Sequence, residues 1–178
     1  MREDIKEIII SEEDLKVKVK ELGTLISENY KGKDLVLVGI LKGSVIFMGD
    51  LMKEIYIPCS MDFMAVSSYG NATKSSGVVK ILKDLDFEIE GKDVIIVEDI
   101  IDSGVTLNYL KEYLISRKPN SLEIVALLDK PTGRRVDITA KYVGFKVPDE
   151  FLVGYGLDYA EKYRNLPFVG ILNEHVYK

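Results

Sequence analysis

Glu98, Asp99 and Asp102 stand at the end of an apolar, β-branched run, Val94-Ile95-Ile96-Val97, and Ser103, Gly104 and Thr106 follow directly. The run opens after Gly91 and has the unbroken apolar character of a buried parallel strand. Leu107, Leu110, Tyr113 and Leu114 then recur at the three- and four-residue spacing of a helix face. A strand, an acidic turn, a hydroxyl-bearing loop and a helix start form one unit. Backbone N–H groups and the helix dipole at that start attract a phosphate, while carboxylates attract a hard divalent cation. Together they suit a magnesium-bound sugar phosphate. The alternative is an ordinary turn with solvated acids, but acids directly after an all-apolar strand are costly unless something uses them.

Two other loops share this setting. Leu35 to Ile40 reads as a buried strand, and the stretch Gly39-Ile40-Leu41-Lys42-Gly43-Ser44 leads into a helix. That helix carries Val45, Phe47, Met48, Leu51, Met52 and Ile55, and Pro58 closes it. Leu122 to Leu128 is another buried strand, followed by the basic loop Asp129-Lys130-Pro131-Thr132-Gly133-Arg134-Arg135. Alternating strands and helices predict an α/β fold, a mainly parallel sheet with helices on both faces. Ligands of such sheets bind beyond the carboxyl ends of the strands, near a switch in strand order. The loops at 41–44, 98–106 and 129–135 all lie at that end, so they converge on one site.

The remaining segments frame these units. Ile5 to Ile10 reads as a short strand or extended arm, and Ser11 with Asp14 forms a capping box with Asp in place of the usual Glu or Gln. Leu15, Val19, Leu22 and Ile26 line a helix face that stops near Gly32. Met61 to Ser67 and Val78 to Leu82 read as strands, joined by a polar stretch that is a hairpin connection or a lid. Tyr142 to Phe145 and Phe168 to Leu172 are further strands, and the segment between them from Pro148 to Arg164 is rich in glycine and aromatics.

With 178 residues, 47% hydrophobic and 30% charged, the chain makes a single domain with a full core. Cys59 is alone, which excludes an internal disulfide and suits a reducing cytoplasm. The start, Met1-Arg2-Glu3-Asp4, lacks the pattern of a secretory signal, and no apolar run has the length of a membrane span. A net charge of −5 counts against a dedicated nucleic-acid binder. The expectation is a cytoplasmic protein with neither membrane nor nucleic-acid partners. His175 lies in the C-terminal tail with no partner in the sequence and reads as structural or solvated.

The stretch Val-Glu-Asp-Ile-Ile-Asp-Ser-Gly-Val-Thr at 97–106 resembles the ribose-phosphate signature of type I phosphoribosyltransferases. Leu41-Lys42-Gly43, Ser68-Tyr69, Asp129-Lys130-Pro131 and the segment from Phe151 to Tyr159 resemble, in order, the hypoxanthine-guanine branch of that family. The resemblance implies one domain: a core of about 35–145, a small hood from about 1–12 and 146–178, and a lid of about 68–78. It implies a magnesium-dependent transfer from 5-phosphoribosyl-1-pyrophosphate to a 6-oxopurine, and a homodimer or homotetramer. Glu98 and Asp99 would hold ribose and metal, with Asp158 toward a second metal. Asp102 would be the general base, and Asp102, Ser103, Gly104, Val105 and Thr106 would cradle the 5′-phosphate. Lys42, Gly43 and Arg164 would meet pyrophosphate, with a cis peptide before Lys42. Lys130, Phe151, Leu152 and Asp158 would bind the purine, and Ser68 and Tyr69 would tip the lid. Leu152 departs from the valine of many relatives, with little consequence where the contact is made by the backbone. A xanthine-preferring enzyme and an RNA-binding regulatory relative are the alternatives.

Overall fold

A computed structural model describes residues 1–68 and 79–178. The expected lid tip and lid, Ser68 and Tyr69 with the stretch 68–78, lie outside the described residues apart from the backbone of Ser68.

The central sheet has six strands: β2 (Leu35–Leu41), β3 (Cys59–Ser68), β4 (Val79–Lys83), β5 (Asp93–Ile101), β6 (Ser121–Asp129) and β7 (Tyr142–Lys146). Their order is β4-β3-β2-β5-β6-β7, parallel throughout except for β4. Helices α1 (Glu12–Asn29) and α2 (Val45–Glu54) cover one face, and α3 (Val105–Ser116) the other. The alternation of side chains along a strand accounts for this split. Leu35, Leu37, Ile95 and Val97 pack with Leu15, Val19, Ile26, Phe47 and Leu51. Val36, Val38, Val94 and Ile96 pack with Leu107, Leu110 and Leu114. The expected cap holds, since the Asp14 N–H donates to Ser11 Oγ at 3.1 Å.

A second, antiparallel sheet forms the expected hood. It joins β1 (Ile5–Ile10) to β9 (Val169–Leu172) and β8 (Leu152–Val153), in the order β1-β9-β8. β8 and the short helix α4 (Glu174–Tyr177) carry no periodicity that the sequence could reveal, and neither was foreseen. The chain switches direction at β2 and β5: after β2 it runs to β3, after β5 to β6 on the other side. The general rule for such sheets places the ligand site beyond the carboxyl ends of these two strands.

One boundary differs from expectation. Glu98 and Asp99 are not in a turn but inside β5, which continues to Ile101. On the β6 side the ladder runs on to Ile101 opposite Asp129, whereas on the β2 side it stops at Gly39 opposite Val97. The last residues of β5 are therefore held from the β6 side and unpaired on the β2 side. Beyond Val97 the alternation of faces inverts, with Ile100 packing on the α1 and α2 side and Ile101 on the α3 side.

Candidate active site

The acid pair lies near the carboxyl end of β5. Glu98 is buried, with the charge of the neighbouring Asp99 carboxylate acting on it. Burial, then the charge of Asp99, holds Glu98 well above the ordinary carboxylate range. Burial also raises Asp99, offset in part by the Ile100 N–H at 2.7 Å and by Arg164. Two like charges pressed together from one strand need a proton or a cation. The pair therefore fits a hydrated divalent ion, which takes one or two carboxylates and keeps its remaining waters. Among the described residues no three His, Cys, Asp or Glu side chains converge as a ligand set, and Asp158 is paired with Arg164 instead.

A raised carboxyl stabilises the fold while protonated, and that contribution is lost as pH rises through the raised value. Glu98→Gln keeps the shape and removes the titration. It should raise Tm near neutral pH by about 3 °C, the shift that roughly 1 kcal/mol produces in a chain of this size. Near pH 5 the gain should shrink. Calorimetry at the two pH values checks this, and an equal gain at both would contradict the buried proton.

The loop after β2 packs against the acid pair. The Leu41–Lys42 peptide is cis, as the resemblance implies. A Cβ at position 43 would overlap the Asp99 carboxylate, so that carboxylate rests directly on the Gly43 backbone. Gly156, at φ 103°, comes from above, and a Cβ there would overlap the Gly43 carbonyl. The segment containing Phe151 and Asp158 is in this way seated on the Lys42–Gly43 loop. Tyr155 anchors it further, its hydroxyl donating to Asp50 Oδ2 on α2 at 2.6 Å. Lys42 pairs with Glu161 at 3.0 Å, both exposed. Arg164 donates to the Gly156 carbonyl at 2.7 Å and pairs with Asp158 at 3.0 Å.

At the α3 end the loop Asp102–Gly104 is pinned by its neighbour. Lys130 N–H donates to the Ile101 carbonyl at 2.9 Å, and Arg135 N–H to the Ser103 carbonyl at 2.9 Å. Gly104 is the N-cap of α3, and Val105 and Thr106 open its first turn, whose N–H groups have no acceptor within the helix. Arg134, beside this loop, is paired with Asp129.

Beside these segments, between the ends of β5 and β6 and the second sheet, lies an open cleft of about 510 Å³ lined by Asp102, Lys130, Phe151, Leu152 and Asp158. Lys130 reaches Asp102 at 3.1 Å and Asp149 at 3.5 Å. The cleft thus offers a carboxylate, an ammonium and an aromatic ring, all suited to a flat polar heterocycle. Leu152 is buried in β8. Sequence reasoning missed Asp149, Glu150, Glu174 and Tyr177, which also line the cleft, and Glu161, the partner of Lys42. The acids preceding Phe151 were a readable counter-charge for Lys130, whereas Tyr177 in the tail gave no signal. Cys59 is half-buried at the start of β3, and burial pushes its thiol up from the ordinary value. His175 is exposed on α4. No helix among the described residues is long and apolar enough to cross a membrane.

Residues 9–160 match the family described as the phosphoribosyl transferase domain. The chain is 57% identical over 178 residues to a hypoxanthine-guanine phosphoribosyltransferase of Bacillus subtilis, covering 100% of this chain and 99% of that protein. It is 59% identical over 177 residues to one from Staphylococcus epidermidis, covering 99% of each. A crystal structure of a hypoxanthine phosphoribosyltransferase from Staphylococcus aureus superposes with a TM-score of 0.98 at 58% identity, covering 100% of this chain and 97% of that one.

Proposed function

This chain belongs to the phosphoribosyltransferase family, and on that premise we propose that it is a purine-salvage enzyme of the hypoxanthine-guanine type. It moves the 5-phosphoribosyl group of 5-phosphoribosyl-1-pyrophosphate to N9 of hypoxanthine or guanine, giving IMP or GMP and pyrophosphate. The observation that carries this reading is the meeting of Asp102, Lys130 and Phe151 in one cleft, with Asp102 and Lys130 3.1 Å apart. A 6-oxopurine offers a partner to each: a proton on N7, an oxygen at C6 and a ring face.

Departure of pyrophosphate leaves positive charge on the ribose, so the site must orient the base and stabilise the leaving group. Asp102 takes the N7 proton as the base attacks. Its value as a base rests on its position against N7. Lys130 donates to O6, which an amino group at that position could not accept. Phe151 stacks on the ring, a contact of roughly 1–3 kcal/mol for a base on an aromatic side chain. Leu152 and Asp158 meet the base edge through the backbone. The first turn of α3 receives the 5′-phosphate on the N–H groups of Ser103 to Thr106 and the hydroxyls of Ser103 and Thr106.

Lys42, Gly43 and Arg164 meet the pyrophosphate. The Lys42–Glu161 pair is exposed and therefore weak, so the ammonium is readily drawn to a phosphate. Glu98 and Asp99 would hold magnesium, with Asp158 toward a second ion, and the metal would supply positive charge for the leaving group. Ser68 and Tyr69 would close over the reacting centre. The setting that suits this chemistry is the cytoplasm, and a homodimer or homotetramer is the expected assembly. Pyrophosphate release from 5-phosphoribosyl-1-pyrophosphate tests the reading. It should require hypoxanthine or guanine, match IMP or GMP one to one, and stop when magnesium is chelated. Release without a base, or none with either base, would contradict it.

A further inference from the structure

The C-terminal helix α4 reaches into the cleft, and no role yet described uses it. Its Tyr177 ring stacks on Phe151 with centroids 4.9 Å apart and planes 26° from parallel. Tyr159 meets Phe151 edge-on at 5.5 Å and Tyr177 at 6.4 Å, which completes an aromatic trio. Tyr177 and Glu174 line the same cleft as Asp102 and Lys130. The tail is held in place rather than draped there. Asn173 N–H donates to the Asp4 carbonyl at 2.8 Å, and Val176 and Tyr177 pack on the cluster of Val153, Tyr163, Phe168 and Leu172.

Phe151 precedes the two-residue strand β8 and keeps 37% of its surface exposed. An aromatic ring on a segment edge has two soft torsions, and a base can stack on it productively only when its plane is set. Tyr177 covers one part of the ring and leaves the remainder open to the cleft.

We propose that Tyr177 is a positioning residue for the purine: it holds the plane of Phe151 and forms the C-terminal wall of the base cleft. This rests on the reading of the cleft as a 6-oxopurine site. The tail then acts on the affinity for the base and leaves the sugar-phosphate half of the site alone, because α3 and the Lys42–Gly43 loop lie on other elements.

The test compares Tyr177→Ala and Tyr177→Phe with the unsubstituted protein in steady-state kinetics, with Tm measured for each. Turnover of hypoxanthine by the unsubstituted protein is measured first, since its absence overturns the cleft reading itself. For Tyr177→Ala, KM for hypoxanthine should rise roughly fivefold, the size of one aromatic pair. KM for 5-phosphoribosyl-1-pyrophosphate should stay unchanged, and Tyr177→Phe should restore the base KM. An unchanged base KM in Tyr177→Ala would overturn the proposal. A fall in base KM would do so too, because the tyrosine would then be competing for the base's place. Equal rises in both KM values, with a lowered Tm, would reduce the tail to a structural role.

Discussion

Asp102→Asn should lower kcat by about 10²- to 10⁴-fold, the contribution of a positioned general base, with little change in KM for either substrate. The asparagine keeps the size of the side chain but cannot take the N7 proton. The fold should tolerate the change. Asp102 is half-exposed, and Lys130 retains Asp149 at 3.5 Å as a counter-charge after the 3.1 Å partner is lost. A loss confined to kcat places the missing interaction in the transition state. A rise in KM with kcat preserved would make Asp102 a binding group and would move the proton transfer elsewhere. Steady-state rates at saturating 5-phosphoribosyl-1-pyrophosphate, with Tm as a control, separate these outcomes.

Lys130→Met should cut kcat/KM for hypoxanthine and guanine by about 10²-fold, the value of a lost charge-assisted hydrogen bond of roughly 3 kcal/mol. Methionine preserves the stem that lies in the cleft but offers no donor to O6. The ammonium sits between Asp102 and Asp149 with only 14% of its side chain exposed, so it is already desolvated and aimed before a base arrives. Removing it should also narrow the preference for 6-oxopurines over adenine, because the discriminating donor is gone. Measuring kcat/KM with each base checks both parts. A uniform loss across all bases, with the preference intact, would show that Lys130 orients Asp102 rather than reading the base.

The elements that carry the sheet were legible because each is an apolar run ending at a recognisable break. Val94 to Val97, Leu35 to Ile40 and Leu122 to Leu128 are all central strands flanked by helices on both faces, the setting that makes a sequence continuously hydrophobic. The switch at β2 and β5 followed from the alternation of strands and helices together with the general rule for such sheets. In the sequence the acid pair reads as a turn, because a buried carboxylate inside a strand contradicts the usual pattern. Only the one-sided ladder, held by β6 and free of β2 beyond Val97, allows Glu98 and Asp99 to stay extended there.

The base cleft was less legible. Lys130 and Phe151 could be singled out only through the order of motifs along the chain, since a single lysine or phenylalanine has no periodicity. Asp149 became meaningful only once its carboxylate lay 3.5 Å from Lys130. Tyr177 depends on a four-residue helix held by the chain's own N-terminal carbonyls, a contact across the whole sequence that no local pattern encodes. The seating of Gly156 on Gly43 is of the same kind, a close approach between segments more than a hundred residues apart.

The central claim is that one crevice selects a 6-oxopurine and joins it to the activated sugar. It is tested most directly by offering hypoxanthine, guanine, xanthine and adenine together with limiting 5-phosphoribosyl-1-pyrophosphate and magnesium, then separating the nucleotides formed. The cleft of Asp102, Lys130 and Phe151 predicts IMP and GMP as the main products and no AMP. A mixture dominated by AMP, or pyrophosphate release with no purine nucleotide formed, would contradict it.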